Sequence, residues 1–270
     1  MRLKFIVLGI ASLGLMSMTQ DRVVVKKYKT TEVQIPAASS EKSGNWENFP
    51  FPKINFTNES LEGNGAYYKE LIPDPEKFIQ EACLEVCQCL YEDVSKIHLV
   101  KEIDYKVYDY KGVSAKSGHG EHVSIAFSSS YLAEVKKKMS EQQIIDEIKG
   151  VLVHELTHAY QLEPKGIGSY STNKTFWSLI EGEADAVRIR LGYTPYEQRK
   201  VGGSWMDGYK TTGFFINWLA TKEDDFIKKI NHSCIILDKW GWNEMTMLYF
   251  NKGIDELWEE YQTFLKKGQS

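Results

Sequence analysis

The ten residues VLVHELTHAY, Val151 to Tyr160, constrain this chain more than any other stretch. Ile145, Ile148, Leu152 and Leu156 recur at three- and four-residue steps, the pattern of a helix with one buried stripe. Ser140 and Gln143 have capping-box spacing, and Met139 with Ile144 is placed for a hydrophobic staple, so the helix begins near Ser140. On it, His154 and His158 leave the same face one turn apart. Positions 151–153, 156–157 and 159–160 carry no charge, as expected of a helix buried on both sides. Glu155 would then be a stranded carboxylate unless a cation stood beside it. Two imidazole nitrogens at this spacing can meet one Zn²⁺ at about 2.0–2.1 Å. Glu155 can reach a water at that ion without binding the ion, as a general base. The competing reading is a pair of satisfied core histidines, and the carboxylate between them argues against it.

A catalytic zinc needs a third protein ligand and an open fourth position. WSLIEGEADAVRIR, Trp177 to Arg190, supplies three acids two apart: Glu181, Glu183 and Asp185. On a helix Glu181 and Asp185 share a face, while Glu183 lies about 200° from Glu181 and is expected to face solvent. One of the first two can ligate the ion and the other can hydrogen-bond a ligand histidine. Without the histidines, the default would be an acidic surface helix salt-bridged to Arg188 and Arg190.

The formal net charge of −4 over 270 residues argues against a nucleic-acid partner, whose footprint is a basic patch. Arg2 and Lys4 followed by the apolar run Phe5 to Met18 read as an export signal over residues 1–20, too short for a membrane span. Residues 21–48 are polar and read as a poorly ordered leader; 49–270 form one domain. The mature protein is therefore expected to be secreted or periplasmic, with no membrane span. Cys83, Cys87 and Cys89 share one helix and Cys234 stands apart. That spacing allows at most one bridge, to Cys234, and favours buried apolar thiols over a disulfide framework or a zinc site.

Asp74 and Pro75 open a helix carrying Phe78, Ala82, Val86 and Leu90. PKINFTNES reads as an edge strand opened by Pro52. EIDYKVYDYKG and EHVSIAFSSSYL read as strands joined by the Gly-rich GVSAKSGHG. Within that connector and just after it, His119 and His122 are incidental rather than a second metal site. The strand HVSIAFSS is a candidate for the edge beside a cleft, where an extended peptide could add as a strand. Gly192 stops the acidic helix, and beyond it DGYKTTGFFINWLA, DDFIKKINHSCII and IDELWEEYQTFLKK are helical. Strands and a helix in the N-terminal half, then a mostly helical C-terminal half, make the class α+β.

His-Glu-x-x-His followed by Glu-x-x-x-Asp resembles the gluzincin metallopeptidases. More narrowly, HELTHAYQ with IEGEADAVR is similar to the basic secretory proteins of plants and bacteria, a peptidase-like family. LIPDPEKFIQEACLEVCQCLY, GVSAKSG, SIAFSSSYL, WMDGYKTTGFFINWL and DELWEEY carry the same resemblance over nearly all of the chain after residue 50. It implies a zincin-like fold with His154, His158 and Glu181 as zinc ligands, Glu155 as base, and Asp185 orienting a ligand histidine. The family is named for basic proteins and this chain is acidic, so no role tied to surface charge carries over. Peptide hydrolysis also needs a donor for the oxyanion. Tyr209, in the family-like Asp-Gly-Tyr, is the candidate, with Tyr160 and then His232 behind it. The expectation is an exported zinc peptidase acting on peptides or proteins. The alternatives are a catalytically silent, metal-stabilised peptide-binding or defence protein of the same fold, and a zinc hydrolase of a non-peptide amide.

Overall fold

A computed structural model describes residues 45–60 and 62–268; the export signal and nearly all of the leader lie outside them. Four strands form one mixed sheet: β1 (Lys53–Asn58), β2 (Glu102–Tyr108), β3 (Ser114–His119) and β4 (His122–Ser128). Their order is β1-β2-β4-β3, with β1–β2 and β2–β4 parallel and β3–β4 antiparallel. Ile103, Tyr105 and Val107 of β2 stand beside Val123, Ile125 and Phe127 of β4, and all six are buried. Glu102, Asp104, His122 and Ser124 alternate with them and are exposed or half-buried. This is a sheet with one wet face.

The helices among the described residues are α1 (Asn64–Leu71), α2 (Pro75–Leu90), α3 (Ser129–Lys136), α4 (Glu141–Tyr160), α5 (Lys174–Arg190), α6 (Tyr209–Leu219), α7 (Phe226–Ile236), α8 (Trp242–Phe250) and α9 (Ile254–Lys267). None is long and apolar enough to cross a membrane. The architecture is α+β, as the element pattern predicts. Asp74 caps α2 through the Lys77 amide, with Pro75 in the first turn. Ser140 and Gln143 close the capping box of α4, although Met139 stays exposed rather than stapled. Asn173 caps α5. At its other end Gly192, at φ 87°, completes a Schellman arrangement: Tyr193 N–H donates to the Arg188 carbonyl and Gly192 N–H to that of Ile189. All four cysteines are free; Cys83 and Cys87 lie on the buried stripe of α2 and Cys234 is buried on α7.

Two expectations are corrected. GVSAKSGHG is not a plain connector, because Ser114–His119 is strand β3, paired with β4 across a tight turn at Gly120 (φ 66°). Consequently HVSIAFSS is not the edge; it lies between β2 and β3, and the two edges are β1, as expected of PKINFTNES, and β3. SAKSGH has no β-branched or aromatic residue, so the hairpin turn rather than propensity recruits it. Ser114, Lys116 and Gly118 pair with Phe127, Ile125 and Val123, which turns their side of β3 toward the helices.

Helices α5 and α6 approach through glycine. A Cβ added at Gly182 would meet Thr212 Cγ2 at 2.3 Å, and one at Gly213 would meet the backbone of Asp185 and Ala186 at 3.0 Å. Asn217 seals the crossing by donating to the Ala186 carbonyl at 2.9 Å. This contact carries the first residue of α6, Tyr209, toward Glu181. Gly182→Ala should gain about 1 kcal/mol of helix propensity yet lose about 1–3 kcal/mol to overpacking. A thermal melt is expected to show a lower Tm; an unchanged or higher Tm would mean that the crossing tolerates a methyl group.

Candidate metal centre

Helix α4 delivers His154 and His158 to one face, and their Nε2 atoms stand 3.1 Å apart. Helix α5 brings Glu181 Oε2 to 3.3 Å from His154 Nε2 and 3.7 Å from His158 Nε2. Ligands at about 2.0–2.2 Å around a tetrahedral ion stand roughly 3.3–3.5 Å apart, so these three edges fit one small divalent cation. Glu181 Oε2 is also buried with no hydrogen-bond partner, an arrangement that is costly unless a cation meets it. Among the described residues this is the group of histidine and acidic side chains able to hold a metal ion. His119 and His122 belong to none; His122 is exposed and pairs with Asp104 at 2.9 Å.

Each histidine is held from behind. His154 Nδ1 meets Asp185 Oδ1 at 2.8 Å, and His158 Nδ1 meets Gln161 Oε1 at 2.7 Å. A partner on Nδ1 leaves Nε2 facing the centre. Gln161 follows His158 by three positions, and that spacing in HELTHAYQ was the available sign of it. Tyr170 had no such sign. It sits in the irregular segment before α5 and donates to Glu181 Oε1, leaving Oε2 turned toward the two histidine Nε2 atoms.

Glu155, next to His154, is buried and lines the same cleft of about 960 Å³, a floor of α4 and α5 walled by β3 and the start of α6. Tyr209 hangs over it: φ is 41°, the ring stacks on His154 at 6.0 Å and meets Trp177 edge-on at 5.7 Å. Its phenol is held above the usual value by burial and by the carboxylates of Glu181, Asp185 and Glu155, so it stays a donor. Tyr160 is corrected as an alternative: its ring is buried, its hydroxyl has no partner, and it does not line the cleft. His232, exposed on α7, lies outside it as well.

The expectation for Glu183 is also overturned. It is 0% exposed, against 4% for Glu181 and 3% for Asp185. Helix α5 packs against α2, α4, α6 and α7 and has no wet side along this stretch. Burial pushes the Glu183 carboxyl up to about 8, partly offset by a hydrogen bond from Gln161. The acidic surface helix is excluded too, since Arg188 pairs with Glu147 of α4 at 2.7 Å instead.

Burial works against charge on His154, but the Asp185 carboxylate accepting at Nδ1 and the Glu181 carboxylate 3.3 Å from Nε2 outweigh it and carry the imidazole up to about 9. Burial likewise opposes ionisation of Glu181, and the two histidines overcome it, holding this carboxyl well below the usual range. In the metal-free protein, the stability gained from His154 is full below its unfolded value near 6.5 and is lost as pH rises through about 9. Loading a divalent ion at pH 7 is therefore expected to release roughly one proton. Calorimetry in buffers of different ionisation enthalpy reads this directly, and an enthalpy independent of buffer would contradict it.

An α+β fold in which one helix carries His-Glu-x-x-His and the next completes a two-nitrogen, one-oxygen donor set defines a narrow class of protein. The chain matches the family model described as a peptidase of plants and bacteria over residues 51–261. It belongs to that family, the basic secretory proteins. No curated protein and no solved structure gave a significant match.

Proposed function

We propose that this protein is an exported, zinc-dependent peptidase of gluzincin type with a zincin-like fold. The observation that carries this reading is the convergence of His154 Nε2, His158 Nε2 and the unpartnered Glu181 Oε2 in a cleft that also holds the carboxylate of Glu155. When bound, zinc would act as a Lewis acid on the scissile carbonyl and lower the pKa of a water.

The chain's own residues divide the remaining work. Glu155 takes the proton of the attacking water at its carboxylate and passes it to the leaving amine. Tyr209 points its phenol into the cleft and donates to the oxyanion as it forms. Asp185 and Gln161 keep the imidazoles oriented, and Tyr170 keeps Glu181 from turning its second oxygen inward. β3 pairs on one side only, with β4. Its free edge offers backbone N–H and C=O groups to an extended peptide, which would lie along the cleft as an added strand. The charged and apolar N-terminal segment supports export, and the protein would then act in the secreted or periplasmic compartment.

The test is cleavage of a mixed peptide library by zinc-replete protein. Products should appear, stop on chelation and return when zinc is restored. A library left intact by a protein that nevertheless retains peptides would favour the silent, peptide-binding alternative.

A further inference from the structure

Helix α5 carries a carboxyl that the reaction above leaves idle. Glu183 points away from the cleft into the core, and its Oε1 has no hydrogen-bond partner. Among the described residues no lysine, arginine or histidine forms an ion pair with it. Such a group is costly to bury, and a leucine would fill the place at less cost. Its one partner is the Gln161 amide, whose Nε2 donates to Glu183 Oε2 at 2.9 Å.

That contact decides which way the amide of Gln161 faces. The two ends of a glutamine amide are alike in shape and differ only in hydrogen bonding. One end of Gln161 meets His158 Nδ1 at 2.7 Å; the other meets Glu183 Oε2 and, at 3.3 Å, the Ile180 carbonyl. The Ile180 carbonyl can only accept and already serves the helix, and Glu183 receives the amide at Oε2, so any proton it carries sits on Oε1. Turned over, the amide would set its oxygen against two oxygens and push its NH₂ at His158 Nδ1. As it stands, its oxygen accepts a hydrogen bond from Nδ1–H. His158 is then the Nδ1–H tautomer, and its Nε2 lone pair faces His154 and Glu181. Once neutral, His154 takes the same form through Asp185 directly.

We propose that Glu183 is a positioning residue for the metal centre: through Gln161 it fixes the tautomer and orientation of His158. The three acids of IEGEAD thus serve one site. Glu181 faces the ion, Asp185 holds one histidine, and Glu183 holds the other at one remove. The inference rests on the metal-centre reading, but its central readout does not.

The test compares Glu183→Leu and Glu183→Gln with the unaltered chain. Imidazole ¹⁵N shifts of the metal-free proteins at alkaline pH, where the rings are neutral, report the tautomer of His158. The unaltered chain is expected to hold the Nδ1–H form, and Glu183→Leu to populate the Nε2–H form as well. Zinc affinity, measured by competition with a chromogenic chelator, should fall about tenfold in Glu183→Leu, the low end of what lost outer hydrogen bonds cost. Glu183→Gln retains an acceptor oxygen and should recover most of that affinity. Metal-free Glu183→Leu should melt at or above the Tm of the unaltered chain, whereas a residue that only supports the fold would lower stability and affinity together. The proposal is overturned if folded Glu183→Leu keeps the Nδ1–H tautomer and full zinc affinity, or if its affinity falls only in step with Tm. An unaltered chain that takes up no zinc would sink the metal-centre reading instead, while the shifts still decide the role of Glu183.

Discussion

Glu155→Ala is expected to lower peptide cleavage by about 10²–10⁴-fold, the usual contribution of a positioned general base, while the ion stays in place. That loss corresponds to roughly 3–5 kcal/mol of transition-state stabilisation. Glu155 is not among the converging donor atoms, so its removal leaves the three-ligand set intact. It is also 8% exposed, and deleting a buried carboxylate relieves desolvation, so the variant should fold with an undiminished Tm. Cleavage rates, zinc content and a melt separate the possibilities. A variant that retains zinc and Tm but cleaves as fast as the unaltered chain would remove Glu155 from the chemistry. One that loses zinc together with activity would make it a ligand.

The second large effect distinguishes the two acids on one face of α5. Glu181→Ala should weaken zinc binding well beyond the roughly 10–100-fold loss typical of an outer hydrogen-bond partner, which is the loss expected of Asp185→Ala. The geometry gives the reason. Glu181 Oε2 lies 3.3 and 3.7 Å from the two Nε2 atoms, on the side where they converge. Asp185 Oδ1 instead engages the far nitrogen, His154 Nδ1, at 2.8 Å. Asp185→Asn keeps a hydrogen-bond acceptor behind His154 and should recover part of the loss, whereas Glu181→Gln leaves a neutral oxygen where the ion needs charge. If Asp185→Ala proved the more damaging change, the two assignments would have to be exchanged.

Local signals in the chain carried much of this. The Ser140–Gln143 box marks the start of α4 and Gly192 the end of α5 by chemistry that acts within one turn, and periodicity supplies the buried face of α4. The same spacing rules bring His154, His158, Glu181 and Asp185 into reach of one another once two helices pack. Failures came where the outcome depends on what surrounds an element. A helical wheel grants Glu183 a wet side only if the helix has one, and α5 is enclosed by its neighbours. SAKSGH becomes a strand because a turn folds it back on β4, a contact that its composition does not announce. Tyr170 reaches Glu181 from an irregular segment that obeys no period. Tyr160, a helical neighbour of His158, points into the core beneath α4, and its sequence position did not reveal that.

These sites share a dependence on close approach. Gly182 and Gly213 let α6 settle on α5, and Gly208 lies 3.3 Å from Glu181 Cβ as judged from the Cβ it lacks. Tyr209 can stack on His154 only because the start of α6 is held that near.

Whether His154, His158 and Glu181 hold a zinc ion, as proposed, is decided by metal analysis of the purified chain. Protein prepared with zinc in excess, dialysed and examined by mass spectrometry of its metals should retain about one zinc per chain, while His154→Ala prepared alongside should retain almost none. A folded, unaltered chain that emerges without bound metal would mean that these three side chains hold no zinc and that the protein is not a zinc peptidase.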